Sequence, residues 1–132
     1  MKALLIHNPA AGQRDVHRDL QQAADLLASH GWSVTCRHTT GPGDATCLAR
    51  RAVDEGCDMV VAVGGDGTLS EVANGLVHSA CILGMLPVGT GNVLARNLGI
   101  PRWTPTARTA LLDAARVLLE GEVRAIDLGR VG

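Results

Sequence analysis

The amino-acid sequence predicts an α/β fold with a doubly wound, mostly parallel sheet and helices on both faces. Strand-like and helix-like segments alternate along the 132 residues, which is the order that crossover helices between parallel strands produce. The segment DMVVAV, residues 58–63, is apolar at almost every position, as expected of a central strand covered by helices on both sides. A chain of this length corresponds to one ordinary domain.

The first half of the chain is predicted to contain two strands, each followed by a helix. The strands cover residues 2–8 and 32–38, the first helix covers residues 15–30, and the second helix begins with Asp44 as its cap. Both helices are expected to end at a glycine, at Gly31 and Gly56. Their apolar positions recur at helical spacing: Val16, Leu20, Ala23 and Leu27 in the first helix, and Ala45, Leu48, Ala49, Ala52 and Val53 in the second.

The second half continues the alternation. In chain order it holds the strand over residues 58–63, a helix from Thr68, a strand over residues 81–86, a short helix over residues 92–98 and a helix that starts at Thr104 and ends at Gly121. Pro105 suits the first position of the last helix, where a missing N–H has no cost. The apolar stripe of that helix is predicted to contain Ala107, Ala110, Leu111, Ala114, Val117 and Leu118.

Composition and charge narrow the classes of function. The formal net charge of −1 provides no basic surface for nucleic acid, and an aromatic content of 2% provides no platform for stacking bases. Nucleic acid is therefore excluded as a partner. No apolar run reaches the roughly 18 residues that span a bilayer, and no signal peptide opens the chain, so a cytoplasmic location is expected.

The cysteines and histidines show no metal-binding spacing. The four cysteines lack a C-x-x-C pair, so buried free thiols in a reducing compartment are expected rather than zinc or disulfides: Cys36, Cys47, Cys57 and Cys81. The five histidines are scattered without an H-E-x-x-H or similar pattern: His7, His17, His30, His38 and His78.

The stretch VVAVGGDGTLSEVANG places the carboxylate of Asp66 among three glycines at the end of the buried strand. Because Gly64, Gly65 and Gly67 have no side chains, the backbone can turn sharply there. The helix expected from Thr68 directs free N–H groups and its positive dipole end toward that turn. A phosphate would be favoured there, but Asp66 alone would repel it. A Mg²⁺ ion shared between Asp66 and phosphate oxygens would remove that conflict.

Structural roles remain open for several of these residues. Asp66 fits an ordinary D-G turn, and Thr68 with Glu71 fits the T-x-x-E pattern of a capping box. Gly75 either closes its helix or allows another element to pack closely. Asn8 fits a plain turn before proline.

Three glycine-containing turns follow predicted strands, at residues 8–12, 64–68 and 87–92. In doubly wound sheets, ligands bind beyond the carboxyl ends of the strands. The three turns together therefore predict one ligand site at that edge of the sheet.

The motifs NPAAG, GGDGTLSEVANG and PVGTGN occur in that order along the chain. In this combination the sequence resembles the catalytic domain of diacylglycerol kinase-like lipid kinases, a group that includes bacterial lipid kinases and sphingosine kinases, over essentially its whole length. NAD kinases share GGDGT and phosphofructokinases carry a close variant, but the third motif favours the lipid kinases. The resemblance implies the N-terminal domain fold of NAD kinases and phosphofructokinases.

The resemblance further implies transfer of the γ-phosphoryl group of ATP to a lipid hydroxyl such as that of diacylglycerol, with ATP and Mg²⁺ as cofactors. Asp66 keeps its role in positioning Mg²⁺ and phosphate. By match to the family motifs, contacts with nucleotide, phosphate or Mg²⁺ are implied for Asn8, Pro9, Ala10, Ala11, Gly12, Thr39, Gly64, Gly65, Asp66, Gly67, Thr68, Leu69, Ser70, Glu71, Thr90 and Asn92.

Two positions depart from the family pattern. The family commonly has Asn where Ser70 stands, which would alter a contact at the start of the helix. An aspartate often follows the third motif, whereas Val93 follows Asn92 here, so that acidic group is missing. These departures leave open a subgroup with a different acceptor.

Residues 1–122 are expected to form the nucleotide-binding domain, and residues 123–132 to begin a C-terminal β-sandwich domain. The resemblance implies that the β-sandwich supplies the general base and further metal ligands, so the chain alone is expected to bind nucleotide weakly and to turn over nothing. The full-length protein would meet its lipid acceptor at a membrane surface. Two alternatives stay open: a fragment of an NAD kinase-like or other small-molecule kinase, and a non-catalytic nucleotide-binding regulatory module.

Overall fold

The computed structural model describes residues 1–9, 14–88 and 110–120 of the chain. In these ranges the elements are β1 Lys2–His7, α1 Arg14–Ser29, β2 Ser33–His38, α2 Asp44–Asp54, β3 Met59–Gly64, α3 Asp66–Leu76, β4 Ile82–Pro87 and α4 Ala110–Glu120. The helix predicted over residues 92–98, the predicted start of the last helix at residue 104 and the strand predicted from residue 123 lie outside the described residues.

The four strands form one parallel sheet in the order β2-β1-β3-β4. The chain moves to one side of β1 to place β2 and to the other side to place β3, which is the doubly wound arrangement predicted from the sequence. Because the strands are parallel, all four carboxyl ends meet at the same edge of the sheet. The connections from β1 and from β3 leave this edge in opposite directions along the sheet, which opens a crevice between the two strands. Ligands of doubly wound sheets usually bind in that crevice.

Helices cover both faces of the sheet. On one face, Leu5 of β1 and Val61 of β3 pack in a cluster with Leu27 of α1 and Leu111 of α4. Successive strand residues point to opposite faces, so Ile6 and Val60, which adjoin Leu5 and Val61 in the chain, pack on the other face against α2 and α3. All six residues of β3 are buried, which confirms its prediction as a central strand.

The start of α2 differs from the sequence-based prediction. Asp44 is the first helical residue rather than the cap, and Gly43 holds the N-cap position in a left-handed conformation with a φ angle of 82°. The Asp44 carboxylate instead accepts hydrogen bonds from the backbone N–H of Thr40 at 2.8 Å and from its hydroxyl at 3.0 Å. The cap prediction was wrong because this carboxylate binds the preceding loop.

The start of α3 also differs. The helix begins at Asp66, two residues before the predicted start, and Gly65 is its N-cap without a side-chain cap hydrogen bond. Thr68 therefore lies inside the first turn, and the capping-box alternative is wrong. The Glu71 side chain accepts a hydrogen bond from the backbone N–H of Gly43 at 2.6 Å instead.

Gly75 lies at a close contact between α3 and α2. A Cβ atom at this position would come within 2.5 Å of the Ala49 Cβ and 2.6 Å of the Thr46 carbonyl oxygen. The helix continues to Leu76. Close packing, rather than ending the helix, therefore requires glycine here.

Among the residues of α4 whose side chains the structure describes, the apolar stripe agrees with the prediction except that Ala115 belongs to it and Val117 does not. Leu111, Ala114 and Ala115 are buried, and Leu118 packs against the same cluster. Val117, which was predicted to lie on the stripe, is 38% exposed. The helix meets the sheet along the i, i+3, i+4, i+7 positions that start at Leu111.

The four cysteines are free, as expected, but the prediction that they are buried was wrong. Cys36 and Cys47 are exposed because they lie on the outermost strand β2 and on the solvent side of α2. Cys57 and Cys81 are half-buried near the amino ends of β3 and β4.

Candidate functional site

A cleft of about 420 Å³ lies at the carboxyl edge of the sheet, between the ends of β1 and β2 and the first turns of α2 and α3. This volume is within the range of roughly 300–1,000 Å³ that is typical of small-molecule sites. Five residues predicted to contact ligand line it together: Asn8, Pro9, Thr39, Thr68 and Glu71.

A larger cleft, of about 550 Å³, lies at the opposite edge, where Met1, Asp58 and Cys81 are among the lining residues. That edge holds the amino ends of the strands. Ligands of parallel α/β sheets bind at the carboxyl ends, where helix N-termini also point, so the smaller cleft is the candidate site.

The turn between β3 and α3 requires glycine at its first position. Gly64 has a φ angle of 156°, and a Cβ atom there would come within 2.8 Å of the Thr68 hydroxyl oxygen. The Gly64 carbonyl accepts a hydrogen bond from the backbone N–H of Val88 at 3.0 Å, which ties the turn to the end of β4. Gly64 therefore has a structural role in shaping this edge.

Gly65 and Gly67 differ from Gly64, because the protein itself gives no steric reason for glycine at either position. Neither has a left-handed φ angle, and a Cβ atom built on either meets no atom within 4 Å. Side chains are thus missing at a place where the protein would tolerate them. The result is an open cradle around the N-terminus of α3, whose positive dipole end attracts anions.

Asp66 stands in this cradle as the first residue of α3, with an exposed side chain. A carboxylate at this position stabilises the helix by complementing its dipole. The same exposed carboxylate can bind a cation that also contacts an anion in the cradle. The helix-stabilising and cation-binding roles are compatible.

Glu71 lines one wall of the cleft, and Thr46 of α2 holds its backbone in place. The Glu71 carboxylate holds the loop that precedes α2 through Gly43, and the Thr46 hydroxyl donates to the Glu71 carbonyl oxygen at 2.7 Å. Thr39 extends from β2 and donates its backbone N–H to the His7 carbonyl at 2.9 Å. These bonds fix the loop and the strand end that face each other across the cleft.

The other predicted site residues are placed as follows. Leu69 is buried in the core between the sheet and α3, which leaves only its backbone for a ligand. Ser70 is half-buried in the next position of the helix. Ala10, Ala11, Gly12, Thr90 and Asn92 lie outside the described residues.

Three histidines that were not predicted as a group lie beside the cleft, on the α1 face of the sheet. The centroid of the His7 ring is 5.5 Å from that of His17 and 5.4 Å from that of His38. The centroids of the His17 and His38 rings are 4.9 Å apart. The sequence signal was indirect: β1 and β2 each end in histidine, and the parallel register pairs His7 with His38.

His7 is the buried member of this group, with 1% of its surface exposed. The pKa of His7 is lowered from 6.5 to about 4, mainly by burial and to a smaller extent by the neighbouring His38 and His17. The ring is therefore uncharged near neutral pH.

Comparison with known proteins identifies the family. The family model described as "Diacylglycerol kinase catalytic domain" matches residues 2–131. The chain belongs to this family. The resemblance and the fold class predicted from the sequence are thereby confirmed.

Relatives in the diacylglycerol kinase family cover nearly all of this chain. It is similar to the diacylglycerol kinase of Bacillus subtilis (strain 168), with 39% identity over 98% of this chain and 42% of the relative. A diacylglycerol kinase of Staphylococcus aureus (strain MRSA252) is 36% identical over 98% of this chain and 40% of the relative. The crystal structure of a diacylglycerol kinase from Bacillus anthracis str. Sterne superposes with a TM-score of 0.74 and 31% identity, over 92% of this chain and 44% of that one. The chain thus spans about two fifths of the length of the curated relatives it matches.

Proposed function

We propose that the chain is the ATP-binding half of a lipid kinase that transfers the γ-phosphoryl group of ATP to a lipid hydroxyl such as that of diacylglycerol. The observation that carries this proposal is the cradle at the start of α3, where Gly65 and Gly67 leave open space around Asp66. The family membership supports a kinase, and the names of the relatives suggest diacylglycerol as the acceptor.

The cradle fits the phosphates of ATP. Backbone N–H groups at a helix start and the helix dipole bind an anion, with about 1.5–3 kcal/mol for each charge-assisted hydrogen bond and about 0.3–1 kcal/mol from the dipole. Neither Gly65 nor Gly67 has a side chain to keep a phosphate away from the backbone. The cleft lined by Asn8 and Thr39 adjoins the cradle and is the proposed place of the rest of the nucleotide.

Asp66 fits a magnesium ligand, because its carboxylate is exposed at the place where the phosphates would lie. When bound, Mg²⁺ neutralises phosphate charge and supports phosphoryl transfer. The contribution of this chain would be to position the ion and the phosphates beside Asp66, at the end of β3. We expect the general base and further metal ligands to come from the remainder of the full-length protein.

The lipid acceptor defines the second half of the proposal. No helix in the part of the chain that the structure describes is long and apolar enough to cross a membrane. We propose that the full-length protein meets the lipid peripherally, at the cytoplasmic membrane surface.

Calorimetric titration with ATP, with and without Mg²⁺, and with NAD tests nucleotide binding. We expect saturable ATP binding that Mg²⁺ strengthens and NAD does not match. Tighter binding of NAD than of Mg-ATP would contradict the proposal.

Transfer of radiolabelled γ-phosphate from ATP to diacylglycerol in mixed micelles, measured with the full-length protein, tests the acceptor. Labelling of a soluble acceptor in place of diacylglycerol would overturn that part.

Asp66→Asn is expected to weaken Mg-ATP binding at least about tenfold, which corresponds to the loss of one interaction worth about 1.4 kcal/mol. Binding of metal-free ATP should be unchanged or slightly stronger, because the carboxylate acts on ATP only through the cation. The matched control is Asp54→Asn, which removes an exposed carboxylate at the end of α2. Equal losses with and without Mg²⁺ would contradict the metal role.

Gly65→Val is expected to weaken ATP binding at least about tenfold whether or not Mg²⁺ is present, because its side chain fills the space proposed for a phosphate. The fold should survive, since a Cβ atom at this position meets nothing within 4 Å, and circular dichroism checks this. Gly65→Ala should produce a smaller loss. A folded Gly65→Val variant that binds ATP normally would place the phosphates elsewhere.

A further inference from the structure

The cluster of His7, His17 and His38 lies outside the proposed nucleotide site and joins three elements of the fold. His7 ends β1, His38 ends β2 beside it, and His17 lies in the first turn of α1. Each residue presents a ring nitrogen, and these three atoms all lie within 4.8 Å of one another. In the described part of the chain this is the one group of three or more metal-ligating side chains that converges in this way.

His7 points to a ligand because it is buried without hydrogen bonds. It is 1% exposed, and neither Nδ1 nor Nε2 has a hydrogen-bond partner among the described residues. Buried polar side-chain atoms almost always have a partner, and a buried group that lacks one costs stability. Ordinary packing in the core therefore does not account for a histidine at this position.

We propose that His7, His17 and His38 bind a zinc ion. Neutral imidazole nitrogens are common zinc ligands, and three of them leave one position of a tetrahedral ion open to water or another group. Zinc would give a buried nitrogen of His7 the partner that the described residues do not provide. It would also bring the His7 ring together with the two rings that it otherwise meets edge to edge.

The geometry requires only small adjustments. Zn–N distances of about 2.0–2.1 Å in a tetrahedron place the ligand nitrogens roughly 3.3 Å apart. The three nitrogens already lie within 4.8 Å of one another. His17 and His38 are exposed, so their side chains can rotate toward the fixed ring of His7 without repacking the core.

Bound zinc would fix the carboxyl ends of two strands at the edge of the candidate cleft. His7 directly precedes Asn8, and His38 directly precedes Thr39, both of which line that cleft. The ion would also hold the first turn of α1 to these strand ends. The zinc site is thus adjacent to the proposed nucleotide site but uses none of its residues, and it stands whether or not the chain binds ATP.

Calorimetric titration of the chelator-treated chain with zinc chloride, without nucleotide, tests this proposal. We expect one zinc ion to bind per chain at neutral pH. His17→Gln and His38→Gln should each weaken binding at least about tenfold, comparable to or larger than the effect of losing an outer-shell partner of a metal ligand. His30→Gln is the matched control, since His30 is exposed and directly follows the last residue of α1, at the end of the helix away from His17, and it should leave zinc binding unchanged.

Cobalt substitution separates this site from binding by the free cysteines. Cobalt bound by three histidines should show the visible bands of tetrahedral coordination without a sulfur-to-metal charge-transfer band, and His17→Gln should reduce the visible bands. A charge-transfer band, an absence of zinc binding, or unchanged zinc affinity in both His17→Gln and His38→Gln would overturn the proposal. The two variants change exposed side chains, so the fold is retained, which circular dichroism verifies.

Discussion

Gly75→Val is expected to lower the free energy of unfolding by about 3 kcal/mol, at the upper end of the range for adding atoms to a packed core. The added Cβ would come within 2.5 Å of the Ala49 Cβ and 2.6 Å of the backbone oxygen of Thr46, so α2 and α3 must move apart. The oxygen belongs to the helix backbone and cannot rotate away. The better helix propensity of valine recovers only a few tenths of a kcal/mol. Urea unfolding followed by circular dichroism measures the change.

Gly67→Val provides the matched control in the same helix. A Cβ atom at Gly67 meets nothing within 4 Å and the position is exposed, so we expect a change within about 0.5 kcal/mol. Gly75→Ala should fall between Gly75→Val and the control. Similar unfolding free energies for Gly75→Val and Gly67→Val would show that the contact between the two helices is not tight at Gly75.

The stability of the metal-free chain is expected to fall by about 3 kcal/mol as the pH is lowered from about 6.5 to about 4, through His7 alone. In the unfolded chain His7 takes up a proton as the pH falls below 6.5, whereas burial and the neighbouring His38 and His17 keep it neutral in the folded chain until about pH 4. Protons therefore favour the unfolded state in this window. His7 contributes its full stabilisation above pH 6.5 and causes no further loss below pH 4.

The measurement is urea unfolding at a series of pH values in the presence of a chelator. His7→Leu keeps a side chain of similar volume and removes the titrating group, so its stability should depend less on pH across this window. His30→Gln, which changes an exposed histidine, should retain the dependence of the original chain. An equally steep fall in His7→Leu would assign the effect to other groups.

The interiors of the elements could be predicted from the sequence because each has a local periodic signal. Val16, Leu20, Ala23 and Leu27 of α1 are all buried as their helical spacing predicts. The helix starts could not be predicted as well, because the side chains concerned bind groups outside their own helix: Asp44 binds Thr40 in the preceding loop. Glu71 binds the backbone of Gly43 instead of capping its own helix, and no local pattern indicates that contact.

In the candidate site too, the features with a local sequence signal could be predicted, and those that depend on the fold could not. The glycine turn around Asp66 is contiguous in the sequence, so its chemistry could be inferred before the fold was known. The sequence could not distinguish Gly64, which the turn requires, from Gly65, which it does not, because that difference depends on the position of Thr68. The three histidines are distant from one another in the chain and become neighbours only through strand register and the placement of α1.

The order of the strands also determines how the chain assembles during synthesis. β1 is made first, yet it becomes a central strand, and its partner β3 appears only after α1, β2 and α2, as the pairing of Ala3 with Met59 shows. Pairings between such distant residues form slowly. Until β3 leaves the ribosome, β1 presents an apolar edge with unpaired backbone groups, which other chains can join. The nascent chain is therefore most prone to aggregation between the synthesis of β2 and that of β3.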